Sequence, residues 1–327
     1  MLASAMSSLG HLYNTYCARY VPATEPLRTV VHAAAGAAIV YATVWVVSKV
    51  WSAVGAASKA SNAAKRRAAQ QKDVVYVFGF PYMKGQQFSM PVGKLIAFLQ
   101  LHKIKYEYVP TQNGAAISDT ERLPCIELNG KQYCDSKFII EHLEKAFPQC
   151  AANFTPRQQS MANFFYNWTQ VFFQHVYRST WVDSQDIVAS KFAEATGYPA
   201  FMINLLFLNA TRKNVINMLN AVGQGDLTDE QYLQQFDEDL TAIEEYLSTN
   251  HFLVTEDRPS KVDCYVAPML AYVSRTYGEA LKHFRPFAHA AGSPVIKAYL
   301  ERVEEHLGCK LMRDPAEKAE AKKSKDE

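Results

Sequence analysis

A short hairpin near the middle of the chain constrains the fold more than any other feature. The segments LPCIEL (123–128) and KQYCD (131–135) flank Asn129-Gly130. Asn and Gly accept the positive φ angles that a two-residue hairpin turn needs, so the two segments are predicted to pair as antiparallel strands. The run SKFIIEHLEKAF that follows has the apolar spacing of an amphipathic helix.

The residues before the hairpin predict a strand, a helix and a second strand. VVYVFGF (Val74–Phe80) is rich in β-branched and aromatic residues, and PVGKLIAFLQLH opens with Pro91, which suits a first helical turn. KYEYV then reads as another strand. The order β-α-β-loop-β-β-α within residues 73–147 is that of a thioredoxin-like domain.

The second half of the chain, residues 157–312, is predicted to be entirely helical. Apolar residues recur at three- and four-residue intervals in Tyr232–Leu247, after a capping box formed by Thr228 and Gln231. A chain of 327 residues that is 49% apolar is long enough to bury the cores of two such domains.

The amino-terminal residues differ in composition from the rest. Thr29–Ser48 runs for 20 residues without a formal charge, which is enough for a helix to cross about 30 Å of hydrocarbon. We therefore expect a transmembrane anchor at 29–48 after an N-terminal extension (1–28), with a buried or surface-lying helix as the alternative. Basic residues in the tether 49–72 place the following domains in the cytosol. Residues 313–327 are predicted to form a disordered charged tail.

Charge and cysteine patterns argue against several function classes. Lys plus Arg (34) exceed Asp plus Glu (32) only slightly, and the basic residues are dispersed, so no nucleic-acid interface is predicted. The six cysteines contain no C-x-x-C pair, and the nine histidines are scattered. This pattern argues against a metal site, a redox dithiol and a disulfide-dense secreted domain.

Several of these residues resemble the N-terminal domain of glutathione transferases. The resemblance rests on Leu123-Pro124, on Asp135-Ser136 some ten residues later and on the following FIIEHLE. It implies an α+β two-domain fold, with a thioredoxin-like βαβ-ββα domain and an all-α domain, here preceded by one transmembrane helix. It also implies glutathione as a ligand: Pro124 would be cis, the Leu123 backbone would pair with the cysteinyl part, and Asp135 and Ser136 would hold the γ-glutamyl end. No metal is implied.

Within that superfamily the chain also resembles the failed axon connections family, which groups with the metaxins. Pro91 and Lys94 match that family's pattern before the first helix, whereas Gly93 stands where the pattern has cysteine. Arg212–Leu247 resembles the family's linker and following helix. The resemblance covers roughly residues 74–311.

The start of the first helix bears on catalysis. Thiol-using relatives carry Cys-Pro-x-Cys there, and Met90–Gly93 occupies that frame without either cysteine, so dithiol exchange and deglutathionylation are not expected. Conjugating transferases use a hydroxyl to hold glutathione as thiolate. Ser89 is the candidate catalytic residue, one residue out of the expected frame, and Tyr82 and Tyr76 are alternatives.

Two functions stay open. The first, which we expect, is a membrane-anchored, non-catalytic adaptor that binds a protein partner, in mitochondrial outer-membrane assembly or trafficking as the metaxin resemblance implies. The second is a glutathione transferase that conjugates hydrophobic electrophiles at a membrane surface. The expected location is the mitochondrial outer membrane. The endoplasmic reticulum is the alternative, because Lys323–Glu327 resembles a dilysine retrieval signal. Small residues at Ala34, Ala38 and Ala42 are compatible with a homodimer.

Overall fold

The structure is a computed structural model, and it describes residue 59, residues 61–111 and residues 114–316. The chain divides into two units at Arg66. In the first unit, residues 59 and 61–66 are described and are helical. All the elements named below belong to the second unit, Arg67–Glu327.

The first part of the second unit is built on a four-stranded sheet. Its elements are β1 (Val75–Gly79), α1 (Met90–Leu101), β2 (Tyr106–Pro110), α2 (Gly114–Ile117), β3 (Cys125–Leu128), β4 (Lys131–Cys134) and α3 (Ser136–Ala146). The strand order is β2-β1-β3-β4. β1 pairs parallel with β2 and antiparallel with β3, and β3 pairs antiparallel with β4. This arrangement confirms the predicted thioredoxin-like sheet.

The hairpin turn forms where the sequence predicts it. Asn129 and Gly130 have φ angles of 50° and 79°, as a two-residue type I′ turn requires. The turn sets the register of the pair, so Leu128 lies opposite Lys131 and each step away from the turn adds one residue on both strands.

β1 is buried along its whole length because both faces of the sheet are covered. Val75 and Val77 belong to the main core, together with apolar residues of α1 and α3. Tyr76 and Phe78 point to the opposite face and form a smaller cluster with Cys125. A strand buried on both faces has no polar face, and this explains the continuous apolar run in the sequence.

The second part of the unit is helical. Its helices are α4 (Pro156–Tyr177), α5 (Gln185–Thr196), α6 (Ala200–Ile203), α7 (Asn209–Ala221), α8 (Asp229–Thr249), α9 (Lys261–Ala271), α10 (Arg285–Gly292) and α11 (Pro294–Leu307). Short π-helical turns at Arg178–Val182, Asn204–Leu208 and Tyr272–Thr276 extend three of these helices. The capping box at Thr228 and Gln231 is present, so the predicted helical domain and its best-marked helix start are confirmed.

A buried carboxylate holds α9 against the rest of the helical domain. Asp263 is fully buried and accepts hydrogen bonds from the backbone N–H of Ser260 (2.8 Å) and of Leu253 (3.1 Å). It also accepts one from the Tyr299 hydroxyl at 3.0 Å. Because α9 packs on α1, this cap ties the helical domain to the first helix of the sheet domain.

The last residues of the predicted basic tether (49–72) pack on the sheet. Arg67 donates to Glu127 at 3.0 Å, and Gln70 donates to the other oxygen of Glu127 at 2.6 Å. Glu127 is fully buried, so the end of the predicted tether supplies the partners that a buried carboxylate needs.

Residues just beyond the predicted domain boundary at 312 are also packed against the domain. Arg313 pairs with Gln86 in an antiparallel bridge, and the backbone N–H of Asp314 donates to Gly85 at 2.8 Å. The beginning of the predicted tail therefore packs against the loop that precedes α1. Residues 317–327 lie outside the described residues.

The predicted fold class is wrong in one respect. Among the residues that the structure describes, no helix is both long and apolar enough to cross a bilayer. The fold class is therefore the two-domain one, without the transmembrane helix that we expected. Thr29–Ser48, on which that prediction rested, lies outside the described residues, as does the extension 1–28.

Candidate functional site

The residues that the resemblance singled out meet at one end of the β3–β4 hairpin. Cys125 lies opposite Cys134, so Pro124 and Asp135, one step further along each strand, emerge side by side. The Leu123-Pro124 peptide bond is cis, as the resemblance implies. The hairpin register thus brings Leu123 and Pro124 together with Asp135 and Ser136.

Asp135 and Ser136 begin α3. Asp135 is the helix cap, and its carboxylate accepts from the backbone N–H of Lys137 at 2.9 Å. Its φ angle is 69°, in the left-handed region, where a residue with a β-carbon is strained by about 1–3 kcal/mol. Ser136 occupies the first helical position, where backbone N–H groups have no partner within the helix and the helix dipole favours an anion. This end of α3 is suited to bind a carboxylate.

Ser89 lies at the start of α1 and acts as its cap. Its hydroxyl oxygen accepts from the backbone N–H of Val92 at 3.5 Å, and its own N–H donates to the Gln87 side chain at 3.0 Å. The side chain is half-buried. The hydroxyl hydrogen is not needed for the cap, so Ser89 keeps the ability to donate to a ligand.

Met90 and Gly93, which stand at the two cysteine positions of the Cys-Pro-x-Cys frame, are covered by other residues. Met90 is 1% exposed and packs into the core. A β-carbon added at Gly93 would overlap the sulfur of Met312 and press on Pro268. Met312 is held there because its carbonyl accepts from the backbone N–H of Gln87 at 2.9 Å. The C-terminal segment therefore takes the space in which a side chain at position 93 would stand.

The tyrosines considered as alternatives to Ser89 are placed elsewhere. The Tyr76 hydroxyl accepts from the backbone N–H of Gln71 at 2.9 Å, on the sheet face away from α1. The ring of Tyr82 contacts that of Tyr108 in a tilted arrangement, with 5.1 Å between the ring centres, and burial raises the pKa of Tyr82. Neither tyrosine is brought to the end of the β3–β4 hairpin.

Lys94 is a site residue that the sequence reading did not single out for chemistry. It is 5% exposed, and its ammonium group donates to the Thr169 hydroxyl at 3.5 Å. Burial lowers the pKa of Lys94 to about 8, although the Asp135 carboxylate acts in the opposite direction. Lys94 is the one charged residue in the twelve-residue helix α1. That isolation was the signal that could have identified it.

The helical domain supplies the opposite wall. The Lys137 ammonium group lies 4.5 Å from the centre of the Tyr166 ring, and Thr169 follows one turn later on α4. Burial raises the pKa of Tyr166, and the Asp135 and Glu141 carboxylates add to the effect. The site is therefore a polar junction between the start of α3 and the middle of α4.

Two cavities lined by described residues lie away from the hairpin end. One of about 470 Å³ is bordered by Arg275, Lys297 and the C-terminal segment. The other, of about 360 Å³, is bordered by Glu144, Lys261 and neighbouring residues. Neither is lined by the residues at the hairpin end. In the described part of the chain, no three His, Cys, Asp or Glu side chains are grouped to hold a metal ion.

Several solved glutathione transferases are similar to this chain. A rice enzyme, GST1 in complex with glutathione, is 13% identical over 79% of this chain and 100% of its own, with a TM-score of 0.47. The omega transferase 3C of Trametes versicolor is 18% identical over 76% and 93%, with a TM-score of 0.43. A Bombyx mori transferase is 13% identical over 73% and 89%, with a TM-score of 0.46. No curated protein sequence matches this chain.

Two family profiles match the sequence. The glutathione S-transferase N-terminal domain matches residues 91–185, and the glutathione S-transferase C-terminal domain matches residues 226–310. Together the two profiles span just over half of the chain. With the thioredoxin-like sheet and the helical domain in the order that the profiles require, the chain belongs to the glutathione S-transferase superfamily.

Proposed function

We propose that this protein is a non-catalytic binding module of the glutathione S-transferase superfamily, which holds a peptide or glutathione at the hairpin end and serves as an adaptor. One observation carries the proposal: α1 still begins with the Ser89 cap, but its first turn has no cysteine. Met90 is buried, and Met312 covers Gly93. No thiolate is available in the frame where thiol-using relatives keep theirs.

The binding half of the site supports an extended ligand with a carboxylate. The Leu123 backbone precedes β3 and can pair with an extended chain. Ser136 offers its hydroxyl and a first-turn N–H, and the Lys137 and Lys94 ammonium groups add positive charge nearby. A γ-glutamyl group and the terminal carboxylate of a peptide share this chemistry.

A second function is favoured by one specific contact. Ser89 accepts from Val92 N–H and can still donate its own hydrogen, which is what a thiolate-stabilising hydroxyl does in a conjugating transferase. The alternative is therefore a transferase acting on hydrophobic electrophiles through Ser89.

Three further expectations stay predictions. They are a location at the mitochondrial outer membrane or the endoplasmic reticulum, a protein partner, and a homodimer.

The binding proposal is tested by calorimetric titration of the full chain with glutathione and with a short peptide ending in a free carboxylate. Ser136→Ala removes one hydrogen bond to a charged group, so we expect about tenfold weaker binding. Ser160→Ala is the matched control, because Ser160 is an exposed serine near the start of α4. Equal affinity in wild type and Ser136→Ala would contradict the proposed site, as would the absence of binding to both ligands.

A further inference from the structure

Two cysteines face each other across the β3–β4 hairpin. Cys125 and Cys134 are register partners, nine residues apart along the chain. Hydrogen-bonded and non-hydrogen-bonded pairs alternate away from a two-residue turn, and Leu128–Lys131 is the first, hydrogen-bonded pair. Cys125–Cys134 therefore falls at a non-hydrogen-bonded position, where Cα atoms lie about 4.5 Å apart. A disulfide requires a Cα separation of roughly 4.4–6.8 Å, so the register itself meets this requirement.

The two thiols also share one face of the sheet. Side chains at directly opposed positions point to the same side, and both cysteines belong to the small apolar cluster on the face away from α1. This arrangement differs from a thioredoxin-type C-x-x-C pair, whose absence argued against a redox dithiol in the sequence. The hairpin register, and not sequence spacing, makes these two cysteines neighbours.

The pair is asymmetric in exposure. Cys125 is fully buried. Cys134 is half-buried, and its sulfur lies 3.3 Å from the Ser118 hydroxyl and 3.7 Å from the Gln132 side-chain oxygen. An external reagent therefore meets Cys134 first, and Cys125 is placed to act on whatever forms there.

We propose that Cys125 and Cys134 form a reversible cross-strand disulfide, with a small disulfide such as oxidised glutathione as the oxidant. The Cys134 thiolate attacks one sulfur of the oxidant, which breaks its S–S bond and releases one glutathione thiolate. The Cys125 thiolate then attacks the Cys134 sulfur and displaces the second glutathione. Two electrons pass from the cysteines to the oxidant, and the two protons end on the released glutathione thiols.

The position of this disulfide ties it to the candidate site. Cys125 directly follows Pro124, and Cys134 directly precedes Asp135, so the bond would join the two strands at the point where the site residues emerge. The oxidation itself does not depend on the proposed binding function, because its chemistry needs only the two cysteines and the oxidant.

Tryptic peptides report the bond directly. Trypsin cuts after Arg122, Lys131 and Lys137, so Cys125 leaves on peptide 123–131 and Cys134 on peptide 132–137. The full chain carrying Cys17→Ser, which removes a thiol outside the described residues, is incubated with oxidised glutathione, alkylated and digested. We expect mass spectrometry to find the two peptides linked, and the link to disappear after reduction. Two separately alkylated peptides after the same treatment would overturn the proposal.

Single variants separate the two steps. Cys125→Ala should stop the reaction at a glutathione adduct on Cys134, and Cys134→Ser should leave Cys125 without an adduct. Cys150→Ala, a buried cysteine outside the hairpin, is the matched control and should leave the linked peptides unchanged. An equal yield of glutathione adduct on Cys134 in wild type and Cys125→Ala would show that Cys125 does not resolve it, and would contradict the proposal even if the variants fold less well.

Discussion

The sulfur of Met312 lies in the space that a side chain at Gly93 would occupy. These residues are 219 positions apart, and their contact covers the face of α1 at position 93. We expect Gly93→Ala to lower the free energy of unfolding by about 1–3 kcal/mol, because it overpacks this contact. Denaturant unfolding of the full chain measures the change.

Met312→Ala provides the matched background for that measurement. Without the methionine side chain, the overlap at position 93 is largely removed, although Pro268 stays close. Alanine is favoured over glycine by about 1 kcal/mol inside a helix, so Gly93→Ala should become neutral or stabilising in Met312→Ala. The same loss in both backgrounds would show that the contact does not explain the glycine.

Lys94 is a buried ammonium group with one long hydrogen bond, to Thr169 at 3.5 Å. Burial of a charge with so little compensation is unfavourable, so Lys94→Met should leave the free energy of unfolding equal or higher. Because burial lowers the pKa of Lys94 to about 8, the unfolded chain binds more protons above that pH. Wild-type stability should therefore rise between pH 8 and about 10.4, the ordinary lysine value.

The pH series separates Lys94 from other lysines. Lys94→Met should remove the alkaline rise, whereas Lys213→Met, at an exposed position of α7, should keep it. If wild type and Lys94→Met show parallel stability curves between pH 8 and 10, burial does not lower the pKa of Lys94 as the structure indicates.

Asp263 completes the capping box at the start of α9 with Ser260, and the docking of α9 depends on it. Asp263→Asn keeps the size of the side chain but turns one acceptor into a donor that faces the N–H groups of Ser260 or Leu253. We expect a loss of about 2–4 kcal/mol in the free energy of unfolding. Asp257→Asn, at an exposed position in the preceding loop, is the control and should change stability by less than about 0.5 kcal/mol.

His289 links α10 to α8 through two carboxylates. Its ring nitrogens lie 3.0 Å from Asp237 and 2.6 Å from Glu244, and Arg285 also pairs with Asp237 at 2.9 Å. Burial alone would lower the pKa of His289, but hydrogen bonds to Glu244 and Asp237 outweigh it and raise the pKa. The stabilisation is therefore complete below the ordinary histidine value of about 6.5 and is lost as pH rises through the higher folded-state pKa.

Thermal unfolding of wild type and His289→Gln between pH 5.5 and 8.5 checks this sign. The difference in midpoint between the two proteins should shrink as pH rises. At more acidic pH Glu244 acts in the opposite direction: its burial favours protonation, yet hydrogen bonds from His289 and Ser293 lower its pKa. A difference that grows towards pH 8.5 would contradict the assignment.

Much of the fold could be predicted from local sequence signals. The Asn129-Gly130 turn set the hairpin register, and with it the meeting of Pro124 and Asp135, because each step from a two-residue turn is fixed by geometry. The box at Thr228 and Gln231 likewise marked the start of α8, since a cap needs only its own first turn.

Contacts between distant parts of the chain could not be read in the same way. The packing of Met312 on Gly93 depends on where the C-terminal segment runs after α11, and the partner of Lys94 comes from α4. The helices α5 to α7 also lacked a clear pattern, because π-helical turns at Arg178–Val182 and Asn204–Leu208 interrupt the 3.6-residue spacing. The pairing of Cys125 with Cys134, by contrast, follows from the turn alone, because a two-residue turn fixes the register of the hairpin.

The central claim, that the superfamily fold persists here without transferase chemistry, is tested most directly by steady-state turnover. The full chain is assayed with saturating glutathione and 1-chloro-2,4-dinitrobenzene, in parallel with Ser89→Ala. We predict that the rate for both proteins equals the rate without protein. Saturable, glutathione-dependent turnover by wild type that Ser89→Ala abolishes would contradict the claim and establish Ser89 as the catalytic hydroxyl.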